Sequence, residues 1–140
     1  MIVVDASVAV KWYVFEPLAD LAIEFYAENQ GNLCAPDIFV VEVIATMVRR
    51  ANVEKSLRPD TEQSIANFTR LLDSNLVEAR RTTAGQMAQA ASIAIDLGHP
   101  LKDCIYLALA MELDCDLITC DARFADKAKG VWDRVRVLGE

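Results

Sequence analysis

The stretch that most constrains the fold is residues 101–121, LKDCIYLALAMELDCDLITCD, where a nearly continuous apolar helix is followed by a short apolar strand. Residues 103–113 are good helix formers without Gly or Pro, which predicts a helix about 16 Å long. LITC, after a polar turn at Asp114 and Asp116, predicts a buried strand that returns about 13 Å. If this strand packs antiparallel to the helix, Asp121 comes to lie beside Asp103.

Short apolar strands alternate with helical segments along the rest of the chain. Strands are predicted at 2–4, 33–35, 76–77 and 131–138, the last as an edge strand with its arginines facing solvent. Helices are predicted at 8–14, 18–29, 38–51, 59–73, 83–97 and 122–130, with a loop at 52–58. This alternation indicates an α/β fold, a three-layer α/β/α sandwich with a short, mainly parallel central sheet. A length of 140 residues predicts one domain, 1–140.

Composition limits the classes of function. The chain is 54% apolar, enough for one sizeable core, and its net charge of −7 argues against a generally basic protein that binds nucleic acid by neutralising phosphates. It does not exclude a nucleic-acid enzyme that recruits cations to an acidic site. Asp5 interrupts the first apolar run and Glu42 the longest later one, so we expect neither a signal peptide nor a membrane span. The prediction is a soluble, cytoplasmic protein that does not bind membranes.

The four cysteines, at positions 34, 104, 115 and 120, form no CxxC pair and have no histidine cluster beside them. Zinc is therefore disfavoured by ligand spacing. Three of them lie in apolar segments, where a free cysteine behaves as a small hydrophobic residue. We expect a reducing compartment without structural disulfides.

Three carboxylates occur at the ends of predicted elements. Asp5 and Asp121 directly follow strands, and the reactive site of a parallel sheet lies beyond the carboxyl ends of its strands. Asp103 stands at the start of a helix. Helix capping or the helix dipole explains each of the three equally well, although Ser7 could cap the first helix in place of Asp5.

Glu42 is harder to explain by local structure, because it interrupts the apolar segment IFVVEVIATMV. Burying an isolated carboxylate costs several kcal/mol unless it is paired or binds a metal. One alternative is a surface pair with Arg49 or Arg50 on a half-exposed helix; the other is a functional carboxylate that faces the strand ends.

If the four carboxylates meet, they repel one another unless a divalent cation neutralises them. Oxygen ligands without His or Cys suit Mg²⁺ or Mn²⁺ better than zinc. Such a site suits metal-assisted hydrolysis of phosphodiester bonds.

Four segments carry a resemblance to a known family: IVVDASV, VVEVIATM, HPLKDCIYLALA and LITCDARF. Together they resemble the four motifs of the PIN-domain nucleases, in the same order and spacing and over essentially the whole chain. The resemblance is closest to the VapC-type toxins of bacterial type II toxin–antitoxin pairs. It implies a Mg²⁺- or Mn²⁺-dependent endoribonuclease that acts on RNA, forms a homodimer and is held inactive by a cognate antitoxin.

Carried over by position, the resemblance makes Asp5, Glu42, Asp103 and Asp121 the catalytic and metal-binding acids. Asp5 and Asp103 would be direct metal ligands, Glu42 would bind the metal or its water, and Asp121 would complete the pocket. Two further positions, Ser7 and Thr119, would supply hydroxyls that support these ligands. Cys104 departs from the family, where alanine is frequent after the third acid, but the acids themselves are intact.

Other residues have weaker functional interpretations. His99 is interpreted as a turn residue more readily than as a general base, and Trp12, Tyr13 and Phe15 as core or interface rather than as RNA-stacking groups. Five basic residues could guide phosphates: Lys11, Arg49, Arg50, Lys102 and Arg123. The helical hairpin around residues 55–73 could contribute to a dimer or antitoxin groove.

Two other classes of function remain open at the level of sequence. A Rossmann-like phosphohydrolase or phosphoacceptor also places Asp after its first strand, but it usually has a second Asp two residues later, where this chain has Ser7. A non-catalytic binding module would need the carboxylates only as helix caps.

Overall fold

The computed structural model describes all residues from 1 to 140 and is built on a five-stranded sheet. All four neighbouring strand pairs are parallel, in the order β3-β2-β1-β4-β5. The strands are β1 (Ile2–Val4), β2 (Leu33–Pro36), β3 (Val77–Arg80), β4 (Asp116–Thr119) and β5 (Val135–Val137). With its flanking helices, this sheet confirms the predicted α/β sandwich.

Seven helices accompany the sheet: α1 (Ala6–Val10), α2 (Ala19–Glu28), α3 (Ile38–Val53), α4 (Arg58–Asp73), α5 (Ala84–Leu97), α6 (Leu101–Glu112) and α7 (Ala122–Ala128). The predicted central helix, α6, has seven consecutive buried residues from 104 to 110. A helix that is apolar on every side belongs inside a protein, and α6 accordingly contacts β1, β2, β4 and α5. None of the seven helices combines the length and the apolar character that crossing a membrane requires.

Several predicted boundaries are wrong. The predicted loop at 52–58 is almost entirely helical, because α3 continues to Val53 and a 3₁₀ turn at Lys55–Leu57 leads into α4. Pro59 fits the first turn of α4, where a missing N–H costs nothing. β4 begins at Asp116 and not at Leu117, because Asp116 lies opposite Ile2 in the ladder.

The edge strands also differ from the prediction. β3 is longer than the two predicted residues and pairs with the whole of β2. β5 is shorter than predicted; Arg136 is exposed, whereas Arg134 turns back to Asp116, with its Nε 2.7 Å from Oδ1. Both arginines reach solvent, as expected, since 38% of the Arg134 side chain is exposed, but Arg134 also pairs with Asp116.

The strand order places a crevice at the centre of the sheet. β1 has β2 on one side and β4 on the other, so the chain winds away from β1 in both directions. In doubly wound sheets, ligands bind outside the carboxyl ends of the strands where the order reverses. Asp5 follows β1 and Asp121 lies just after β4, so both acids lie at this point.

Candidate functional site

Asp5 is the innermost acid of the crevice. It occupies the N-cap position of α1, but its side chain makes no capping hydrogen bond. Instead, the Ser7 hydroxyl donates to Asp5 Oδ2 at 2.5 Å and the Thr119 hydroxyl donates to the same oxygen at 2.8 Å. Helix capping therefore does not explain the Asp5 carboxylate.

The two hydroxyls also tie Asp5 to the turn that follows β4. The Ser7 hydroxyl accepts from the backbone N–H of Cys120 at 3.1 Å, and the Thr119 hydroxyl accepts from that of Asp121 at 3.1 Å. Thr119 itself is buried, with 1% of its surface exposed. Both hydroxyl groups are thus oriented as donors toward Asp5, and they join the ends of β1 and β4.

Glu42 faces the crevice from α3 and is held there by α6. Its Oε1 accepts from the Tyr106 hydroxyl at 2.8 Å, and its Oε2 lies 3.6 Å from the Lys102 ammonium group. The Glu42 side chain is only 17% exposed. The alternative in which Glu42 pairs with Arg49 or Arg50 is wrong, since the one ion pair of Glu42 is with Lys102, and the Arg50 guanidinium lies 3.3 Å from Glu16.

Asp103 and Asp121 approach each other across the starts of two helices. Asp103 lies in the first turn of α6, and Asp121 is the N-cap of α7, where its Oδ1 accepts from the Phe124 N–H at 2.9 Å. Ligand atoms of Asp103, Asp121 and His99 all lie within 4.8 Å of one another. The predicted placement of Asp121 beside Asp103 is thus confirmed, but the helix–strand geometry did not predict that the imidazole of His99 lies with them.

The carboxylates influence one another electrostatically. Burial raises the pKa of Asp5 to about 6, the hydrogen bonds from Ser7 and Thr119 oppose this shift, and the charges of Asp103 and Glu42 add to it. Burial, with the charges of Asp5 and Glu42, also raises the pKa of the Tyr106 hydroxyl, which therefore stays protonated as a donor. A cavity that penalises carboxylate charge in this way favours a cation.

A family model for the PIN domain matches residues 2–130. The chain belongs to the PIN domain family. This membership supports a nuclease activity and agrees with the resemblance of the four acidic motifs. No curated protein matches the chain in sequence.

Solved structures share the fold of this PIN domain. A toxin–antitoxin complex from Klebsiella pneumoniae is similar, with a TM-score of 0.69 and 18% identity, over 100% of this chain and 99% of the other. VapC20 from Mycobacterium tuberculosis, a toxin that cleaves the sarcin–ricin loop, has a TM-score of 0.74 and 14% identity, over 90% and 94% of the two chains. PAE2754 from Pyrobaculum aerophilum has a TM-score of 0.63 and 14% identity, over 98% and 88%.

The donor set of this PIN domain fits a hard divalent cation. Carboxylate oxygens predominate, with one imidazole beside Asp103, and burial raises the pKa of the nearby Cys104 thiol to about 11, so this thiol is protonated in the metal-free protein. The charges of Glu42 and Asp103 both act on Asp5, and Asp103 lies beside Asp121, but the four acids do not form one compact group. The compact group contains Asp103, Asp121 and His99, and it does not include Asp5 or Glu42.

Sequence reasoning missed two residues of this site. Tyr106 lies in an apolar helix and resembles an ordinary core residue, and it is in fact only 1% exposed. Its position one helical turn after Asp103 could have suggested that it faces the same way. His99 lies four residues before Asp103, and this spacing, also close to one helical turn, could have indicated a contact between the two side chains.

The aromatic residues at the end of α1 have separate environments. The Trp12 indole N–H donates to the Ala22 carbonyl at 2.9 Å, and the Tyr13 ring packs edge-on against Phe68. Both match the interpretation as core residues. Phe15, in contrast, is 97% exposed.

Proposed function

We propose that this PIN domain is a Mg²⁺- or Mn²⁺-dependent endoribonuclease, and that it is the toxin of a type II toxin–antitoxin system. Its substrate is RNA, its inhibitor is a cognate antitoxin protein, and it acts in the cytoplasm as a homodimer. The observation that supports this proposal is the set of neighbouring acids beside the carboxyl ends of β1 and β4, where Asp5 feels the charges of Glu42 and Asp103 and Asp103 lies beside Asp121, in a chain of the PIN family.

In the proposed mechanism, Asp5, Asp103, Glu42 and Asp121 hold the cation and its water molecules. When bound there, a divalent cation would lower the pKa of a coordinated water for attack on phosphorus and would stabilise charge on the leaving oxygen. Ser7 and Thr119 orient Asp5 and favour its ionised form through their hydrogen bonds to Oδ2. Tyr106 orients Glu42, and Lys102 beside Glu42 is exposed enough to contact a backbone phosphate.

The toxin assignment is supported by the fold shared with VapC20 and with the Klebsiella toxin–antitoxin complex. The RNA substrate is supported by the likeness to VapC20, because that toxin cleaves the sarcin–ricin loop. The alternative of a phosphoacceptor gains no support from the site, since Ser7 hydrogen-bonds Asp5 and supplies no second acid.

Cleavage of RNA by purified protein tests the enzymatic part. We expect Asp5→Asn and Asp103→Asn each to reduce cleavage in Mg²⁺ or Mn²⁺ by at least about a hundredfold, because each variant removes one charge that holds the metal. Asp73→Asn is the matched control, since Asp73 is an exposed carboxylate at the end of α4. Cleavage retained in both site variants contradicts the mechanism.

Two further measurements separate the alternatives. Calorimetry that detects neither Mg²⁺ nor Mn²⁺ binding favours a non-catalytic module, and a trapped acyl phosphate on Asp5 favours a phosphoacceptor.

Induced expression in bacteria tests the toxin role. We expect growth arrest by the native chain, none by Asp5→Asn, and rescue by co-expression of the cognate antitoxin, which should be a small protein encoded next to the toxin gene.

A further inference from the structure

The only histidine of the chain, His99, lies in a connection that fixes its backbone on both sides. Gly98 ends α5 in the left-handed conformation, with φ of 59°, and the His99 N–H closes the helix by donating to the Ala94 carbonyl at 3.0 Å. Pro100 follows directly and restricts the backbone of His99 to extended conformations. His99 is thus set at a fixed point before α6.

The imidazole ring is held as firmly as the backbone. Only 7% of the His99 side chain is exposed, and its ring stacks on Phe124, with centroids 4.7 Å apart and planes inclined by 30°. Phe124 belongs to the first turn of α7, and its own backbone N–H bonds Asp121. The ring therefore fills the space between the starts of α6 and α7.

One ring nitrogen meets Asp103 and the other meets nothing. His99 Nε2 lies 2.6 Å from Asp103 Oδ2, one helical turn further along the chain. His99 Nδ1 is buried without a hydrogen-bond partner. A buried, unpaired N–H costs more than a buried lone pair, so the proton belongs on Nε2, where it is donated to the carboxylate.

From this geometry we propose that His99 is a positioning residue that orients Asp103 for the metal without binding the metal itself. The proposal rests on the metal-dependent function given above. The Nε2–H bond holds Oδ2, and Oδ1 of Asp103 makes no hydrogen bond, which leaves it available to a cation beside Asp121. Because the rotamer is fixed before the cation arrives, the site does not have to order this carboxylate during binding.

Binding of Mn²⁺ to the full chain, measured by the loss of the free-ion EPR signal, tests the proposal. We expect His99→Leu to weaken Mn²⁺ binding about ten- to a hundredfold, which is the usual effect of losing a group that supports a metal ligand. His99→Gln retains an N–H donor at a similar distance from the backbone, and it should restore affinity to within a few-fold of the native protein. Equal affinity in the native protein and His99→Leu overturns the proposal.

A second measurement uses only the native protein and so does not depend on the folding of any variant. ¹⁵N NMR of the single imidazole should show a protonated Nε2 and an unprotonated Nδ1, both without metal and in saturating Mg²⁺. A Mg²⁺-induced loss of the Nε2 proton, or imidazole nitrogen coupled directly to Mn²⁺ in pulsed EPR, shows that His99 is a ligand and overturns the proposal.

The two levels of inference fail in different ways. If the native chain binds no Mn²⁺, the proposed metal-dependent function fails, whatever the state of His99. If the native chain binds Mn²⁺ and His99→Leu binds it equally well, only the positioning role fails.

Discussion

The Asp5 carboxylate shows how one side chain can be both stabilised and penalised by the fold. Two hydroxyl donors satisfy its Oδ2, whereas burial and two neighbouring acids penalise its charge. Burial is the larger effect, since the pKa of Asp5 rises from 3.8 to about 6. In the metal-free protein, the ionised form of Asp5 therefore opposes folding.

The pH dependence of metal-free stability tests this balance. The folded protein binds the Asp5 proton up to about pH 6, whereas the unfolded chain releases it near 3.8, so the contribution of Asp5 is present below pH 4 and is lost as the pH rises through 6. Relative to Asp5→Asn, the native chain should lose up to about 3 kcal/mol of unfolding free energy between pH 4 and pH 7. Urea denaturation at each pH, with a chelator present to keep the protein metal-free, measures this difference in unfolding free energy.

Asp73→Asn is the control for this series, and its unfolding free energy should follow that of the native chain at every pH. A constant difference between native protein and Asp5→Asn from pH 4 to pH 7 would show that the fold does not raise the pKa of Asp5.

At the residue scale, the sequence revealed the acids better than the groups that hold them. Glu42 was conspicuous because a lone carboxylate in an apolar helix needs a partner. Its actual partner, Tyr106, is 64 positions away, and a tyrosine in an apolar helix carries no sign of what its hydroxyl bonds. The imidazole of His99 was equally obscure, since Gly-His-Pro is typical of a turn.

At the scale of elements, α5 is fixed at its start by a capping box. Thr83 Oγ1 accepts from the Gln86 N–H at 3.1 Å, and the Gln86 side chain accepts from the Thr83 N–H at 2.9 Å. These reciprocal bonds satisfy two amides that the helix leaves unpaired. The opposite end of α5 leads through Gly98 to His99, so the cap lies at the end of α5 that is remote from the acids.

Loss of this cap should affect stability without affecting the site. We expect Thr83→Ala to lower the free energy of unfolding by about 1 kcal/mol, with RNA cleavage unchanged. Thr69→Ala is the matched control, because Thr69 is exposed within α4, where alanine is the better helix former and stability should rise slightly. Thermal denaturation of both variants measures the difference, and a Thr83→Ala protein as stable as Thr69→Ala contradicts the role of the cap.

The elements themselves were largely predictable, and their ends were not. The apolar runs of β1, β2 and α6 are almost entirely buried, so a continuous run of apolar residues was enough to predict each of them. The segment 52–58 was misjudged because polar residues and Pro59 resemble a loop, although a proline is tolerated in the first turn of a helix. β3 was underestimated because half of it, at the edge of the sheet, is polar and partly exposed.

For the whole molecule, metal binding in the acidic crevice, as proposed above, would raise stability. A ligand that binds only the folded state stabilises it by mass action, by about 2.7 kcal/mol at a hundredfold excess over Kd. For a chain of this size we expect Mn²⁺ to raise the melting temperature by roughly 10 °C at that excess. A chelator should reverse the shift, as scanning calorimetry can measure.

The same titration on Asp5→Asn provides the comparison, because that variant lacks one of the charges that attract the ion. Its melting temperature should rise much less. An equal rise in both proteins would place the bound ion outside the crevice.

The paired hydroxyls of Ser7 and Thr119 also restrict the choice of ion. Both donate to the same oxygen of Asp5, so a metal meets this carboxylate through a single oxygen and cannot be chelated by both. Magnesium accepts single carboxylate oxygens in a small octahedron completed by water, whereas calcium binds carboxylates through one oxygen or through two. A calcium ion at Asp5 would have to do without two-point attachment, so we expect the side-chain hydrogen bonds that join β1 to β4 to favour magnesium over calcium.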